Sequence, residues 1–102
     1  MMQVLIRAKD FPVTEGLQSF TEQQAKKLTR YTKKIIRVET FVEKTRANTK
    51  ATIKAIIPGQ DVVVARQATD LYLAIQDAFD RAIRVMRKNT ERKQARRKNG
   101  RG

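Results

Sequence analysis

The 102-residue sequence contains no cysteine and no histidine. Those two absences together remove disulfide frameworks, thiol nucleophiles, Cys/His zinc sites and the commonest acid–base side chain. Long apolar runs are missing too: stretches such as Val62-Val63-Val64-Ala65 are far too short to cross a bilayer. The start, Met1-Met2-Gln3-Val4-Leu5-Ile6-Arg7, has no basic region ahead of its apolar residues, and Arg7 interrupts them, so it does not read as a signal peptide. A soluble cytoplasmic protein is the expectation. Aromatic residues make up only 6% of the chain, which is poor material for a helix lying on a membrane. Acidic residues are scarce as well, 10 against 23 Lys and Arg, leaving a net charge of +13.

So large a charge on so short a chain destabilises the compact state by self-repulsion, and a polyanionic partner is the evident reason to carry it. Nucleic acid fits better than an anionic membrane. A 40% apolar content, arranged in periodic segments, is enough for one small core and a single domain.

Val4, Leu5 and Ile6 mark a first strand over residues 2–8, closed by a turn at Lys9-Asp10-Phe11-Pro12. Thr14 offers a helix N-cap, and helical periodicity then runs to about Lys34. Leu17, Phe20, Leu28, Tyr31 and Ile35 share one stripe, with Lys26, Arg30 and Lys33 opposite and Lys27 and Lys34 at the edge of the basic side. Glu15 and Glu22 near the start and cations near the end also suit the helix macrodipole, a purely structural reason for the same pattern. From Ile36 to Thr45 the residues alternate, with Ile36, Val38, Thr40 and Val42 on one side and Arg37, Glu39, Phe41 and Glu43 on the other. Alternation resumes over 49–57 with Ala51, Ile53, Ala55 and Ile57 inward. Pro58-Gly59 then occupies the central positions of a type II turn, and 60–67 returns as a strand. Asp70 caps a long second helix whose stripe is Leu71, Ile75, Ala78, Phe79, Ala82 and Met86, with Tyr72 and Ile83 on one flank. Beyond Met86 the apolar stripe stops and the basic residues continue.

The order β-α-β-β-β-α predicts an α+β domain: a four-stranded sheet with its first two strands parallel and both helices packed on one face, double-stranded-RNA-binding-domain-like. Residues 1–95 form the domain and 96–102 a basic flexible tail. The carboxylates Asp61, Asp70, Asp77 and Asp80 are scattered and no phosphate-cradling glycine motif is present, so neither an enzyme nor a metal site is expected. Asp77 and Asp80 are read as exposed partners of Arg81 and Arg84. The outward stripes Lys26/Arg30/Lys33 and Arg81/Arg84/Lys88/Arg92, joined by Arg87, should flank one surface able to follow a phosphate backbone. Phe41 points to the other side of the sheet, where a small apolar cluster with Ile56 and Val63 is preferred over a base-stacking role.

The run Asp70-Leu71-Tyr72-Leu73-Ala74-Ile75, then Asp80-Arg81, Arg84, Lys88 and Arg92, resembles the second helix of the ribosome hibernation promoting factors and ribosome-associated inhibitor A, also called protein Y. Lys27-Leu28, Tyr31 and Lys34-Ile35 match the end of that family's first helix, and the resemblance covers residues 2 to about 94. Gln76 departs from the pattern, which has Asp after Ala-Ile. The resemblance implies a short-form factor that binds 16S ribosomal RNA in the decoding channel of the small ribosomal subunit. There it blocks messenger RNA and the A- and P-site transfer RNAs, repressing translation in stress or stationary phase. Carried over by position, Lys27, Lys34, Arg81, Arg84, Lys88 and Arg92 are RNA contacts; Lys26, Arg30, Lys33 and Arg87 come from the helical-face argument alone. The expected protein is a monomer when free, with no cofactor and no small-molecule substrate. The rivals are a stand-alone double-stranded RNA-binding module and a protein–protein adaptor using the open sheet face.

Overall fold

The computed structural model describes residues 2–31 and 34–99, with the backbone alone for 89–99. Its elements are β1 (Gln3–Lys9), α1 (Glu15–Leu28), β2 (Arg37–Lys44), β3 (Thr49–Ile56), β4 (Val62–Ala68) and α2 (Leu71–Asn99). The sheet runs β1-β2-β3-β4. β1 pairs parallel with β2, while β2–β3 and β3–β4 are antiparallel, the α+β arrangement expected from the order of elements.

Alternation decides the faces of the sheet. Val38, Thr40 and Val42 on β2, Thr49, Ala51, Ile53 and Ala55 on β3, and Val62 and Val64 on β4 are buried. Against this face α2 sets Ala74, Ile75, Ala78, Phe79, Ala82 and Met86, and α1 adds Leu17, Ala25 and Leu28. Small buried residues on both surfaces, Ala51 and Ala55 on β3 and Ala74, Ala78 and Ala82 on α2, let helix and sheet approach closely, and Phe79, Leu17, Leu28, Ile53 and Ile75 fill the remaining volume. Phe20 and Tyr72 meet edge to face, ring centroids 5.0 Å apart, and join the helices near their starts.

The turn chemistry acts as its residues dictate. Thr14 accepts the Leu17 N–H at 3.1 Å, and Asp70 Oδ2 accepts that of Leu73 at 3.1 Å. Gly59 takes φ +85° and the Gln60 N–H reaches the Ile57 carbonyl at 3.1 Å, closing the expected type II turn. Asp10 ends β1 at φ +69°, a left-handed conformation that Asp tolerates better than most residues.

Several expectations are corrected. α1 ends at Leu28, well short of Lys34, because the Thr29 N–H and hydroxyl both reach the Lys26 carbonyl, at 3.2 and 2.6 Å. Ile35 is buried from the connecting segment and not from the helix, and Ile36 is 56% exposed ahead of β2. On the open side, Phe41 stands opposite Thr52 but Ile56 stands opposite Arg37, so the two are four residues apart along the sheet and form no common cluster. Asp77 and Asp80 make no ion pair with Arg81 or Arg84; among the described residues the ion pair is Arg37–Glu39. On exposed helix surface the entropy of holding two long side chains offsets such attraction. The backbone of α2 is helical from Leu71 to Asn99, and residues 100–102 of the expected tail lie outside the described residues.

Candidate nucleic-acid interface

The basic end of α1 is built by its own C-cap. Thr29 draws the last turn closed on Lys26, and the following N–H groups of Arg30 and Tyr31 reach the Lys27 and Leu28 carbonyls at 3.3 and 3.0 Å. This tight ending places Lys26, Lys27 and Arg30 on the surface around the helix terminus, where the macrodipole favours cations. Lys27 Nζ donates to Gln24 Oε1 at 3.3 Å, and Lys34 is exposed in the segment that leads to β2. Lys33 lies outside the described residues.

On α2 the side opposite Ile75, Phe79 and Ala82 carries Arg81, Arg84 and Lys88, all exposed. Their i, i+3 and i+7 spacing makes them one stripe. None of the three has an ion-pair partner among the described residues. The helix passes through Arg92, whose side chain lies outside what is described.

Arg87 falls toward α1 and not on that stripe. Its Nη2 donates to the Tyr31 hydroxyl at 3.2 Å and its guanidinium sits 5.6 Å from the Tyr31 ring centre. Arg87 is therefore a clasp between the helices. Phe20 meets Tyr72 and Tyr31 meets Arg87, so the helices run side by side in the same direction. Arg30 and Lys88 are each next in sequence to a clasp residue, which brings the basic end of α1 to the basic half of α2.

One cation escaped the sequence reading. Arg66 pairs in register with Ala51, so it belongs to the helix-covered side of β4, yet it is exposed. It lines a concavity of about 470 Å³ with Arg81, Val85 and Val63 at the junction of α2 and β4. The signal was present in the alternation: Arg66 is in phase with Val62 and Val64, and a charge there must reach out beside the helix.

No group of three or more Asp or Glu able to hold a metal ion occurs among the described residues. What the surface offers is a set of exposed cations on two helices, with Arg81, Arg84 and Lys88 free of acidic partners among the described residues, suited to phosphates spaced along a backbone. A sequence profile of the Sigma 54 modulation protein / S30EA ribosomal protein family matches residues 4–94. The chain belongs to this family. It is the family of the ribosome hibernation promoting factors to which the Asp70–Ile75 stretch and the spaced cations pointed.

Within the S30EA family the Pseudomonas putida ribosome hibernation promoting factor is 30% identical over 96 residues, 92% of either chain. The N-terminal domain of Thermus thermophilus Protein Y shares the fold at TM-score 0.76 and 24% identity, covering 85% of this chain and 96% of that one. A ribosomal subunit interface protein from Coxiella burnetii shares it at TM-score 0.73 and 13% identity, over 88% and 97% of the two chains. As in those solved structures, four strands and two helices make the domain.

Proposed function

We propose that this S30EA-family chain is a ribosome hibernation factor. It binds 16S ribosomal RNA in the channel between head and body of the small subunit, where it excludes messenger RNA and the A- and P-site transfer RNAs. No bond is made or broken; translation stops by occlusion, in stress or stationary phase. The observation that carries the reading is the Tyr31–Arg87 clasp, which joins the Lys26/Lys27/Arg30 end of α1 to the Arg81/Arg84/Lys88 stripe of α2 without an acid paired to that stripe. Membership of a family whose Pseudomonas putida relative is called a ribosome hibernation promoting factor supports it. Arg66, beside Arg81, adds a further phosphate contact.

The stand-alone double-stranded RNA-binding module is disfavoured by β1. That strand has no place in the α-β-β-β-α order, yet here it pairs with β2 over its whole length, from Gln3↔Arg37 to Lys9↔Glu43.

Hydroxyl-radical footprinting of 16S RNA on purified small subunits, with and without the protein, tests the proposal. Protection is expected in the channel between head and body, together with loss of messenger and P-site transfer RNA binding. Protection confined to other surfaces, or undisturbed transfer RNA binding at saturating protein, contradicts it.

A further inference from the structure

The side of the sheet turned away from both helices carries an exposed aromatic among cations. The register sets Arg7 of β1 and Thr52 of β3 directly on either side of Phe41, with the row Leu5, Glu39, Lys54, Val63 next to it. Phe41 is 39% exposed and Val63 61%, and neither belongs to the core or packs against it. These residues line an open concavity of about 460 Å³. Its acid, Glu39, is engaged by Arg37, whose Nε lies 2.8 Å from Glu39 Oε2. Arg7 and Lys54 have no ion-pair partner among the described residues.

We propose that this face is a second nucleic-acid site, in which Phe41 stacks an unpaired base of single-stranded RNA while Arg7 and Lys54 hold the flanking phosphates. Leu5 and Val63 supply apolar walls, and Thr52, which lines the same hollow, brings a hydroxyl for the edge of the base. A single strand answers both halves of the surface at once. Its bases have exposed π-faces for the ring, and its phosphates neutralise the two unpaired cations. An apolar protein partner would bury those cations without counter-charge, at a cost that Phe41 and Val63 do not offset. Duplex RNA presents no base face to stack on. The site is on the opposite side of the sheet from the helices, so it stands or falls independently of the two-helix interface.

The test titrates isotope-labelled full-length protein with a short oligouridylate. The helix variant Arg84→Glu/Lys88→Glu is run in parallel to suppress binding through α2. Upfield movement of the Phe41 ring protons, with shifts at the amides of Arg7 and Thr52, is expected in both proteins. Adding Phe41→Ala to the helix variant should weaken binding about tenfold, with the spectrum still that of a folded chain, and Phe41→Tyr should retain it. Phe41 signals that stay put while RNA saturates the protein, or equal affinity of the alanine variant, overturn the proposal. Ultraviolet crosslinking in the small-subunit complex gives a separate readout. A Phe41 adduct with RNA supports the site, whereas a Phe41 adduct with a ribosomal protein overturns it.

Discussion

The hydroxyl of Thr40 lies on the helix-facing side of β2, 2% exposed, with no hydrogen-bond partner. Burying an unpaired hydroxyl costs more than burying a methyl group, so Thr40→Val should stabilise the domain by about 1 kcal/mol. Thermal unfolding should then rise by roughly 4–8 °C; a lower midpoint would mean that the hydroxyl does useful bonding. Thr21, also buried, behaves differently because its hydroxyl donates to the Leu17 carbonyl at 2.8 Å. Both helix caps were legible in the sequence as a Thr and an Asp placed just before apolar periodicity. Thr14→Ala and Asp70→Ala should each cost about 1 kcal/mol in urea unfolding, and a variant that costs nothing would show its cap to be idle.

At the scale of elements, strands were easier to read than helix ends. Ala51, Ile53 and Ala55 declared a half-buried strand by alternation alone, and the structure buries all three. The end of α1 was not legible in the same way, since Leu28, Tyr31 and Ile35 keep a helical spacing past the true stop. No glycine or proline between 29 and 36 marks the change. What ends the helix is the local competition of Thr29 for the Lys26 carbonyl, a hydrogen bond that periodicity does not record. The early stop frees Tyr31 to meet Arg87, so an error of a few residues concealed the contact that joins the helices. Tyr31→Leu keeps the apolar bulk but removes both the hydroxyl and the π-face. It should weaken 16S RNA binding several-fold in a filter assay without loss of helical circular dichroism, although no charge is changed. Undiminished affinity would mean that Arg87 contributes on its own and the clasp positions nothing.

For the whole molecule, the order of elements, the parallel β1–β2 pair and the two-helix layer followed from the pattern of apolar residues, because each helix has one stripe to bury and one sheet face to bury it on. The candidate interface was legible as residue types and less so as geometry. Arg81, Arg84 and Lys88 form the expected stripe, whereas Arg87 turns to Tyr31 and Arg66 joins Arg81 from a strand. Contacts between residues far apart in sequence are fixed by packing, which spacing does not encode. If the charge of +13 serves a polyanion, binding must fall steeply with salt. Replacing Arg84 and Lys88 by alanine should flatten the slope of log affinity against log salt by roughly 1.4 to 1.8, for two phosphates released. An unchanged slope would place these cations away from RNA.

The most direct measurement is co-sedimentation of the protein with purified small ribosomal subunits across a salt series, beside Lys27→Glu/Arg30→Glu at the end of α1 and Arg84→Glu/Lys88→Glu on α2. A surface formed by both helices predicts stoichiometric pelleting of the natural chain at moderate salt and release of each double variant. A natural chain that stays in the supernatant, or variants that pellet as well as it does, would contradict binding of the small subunit through the two helices.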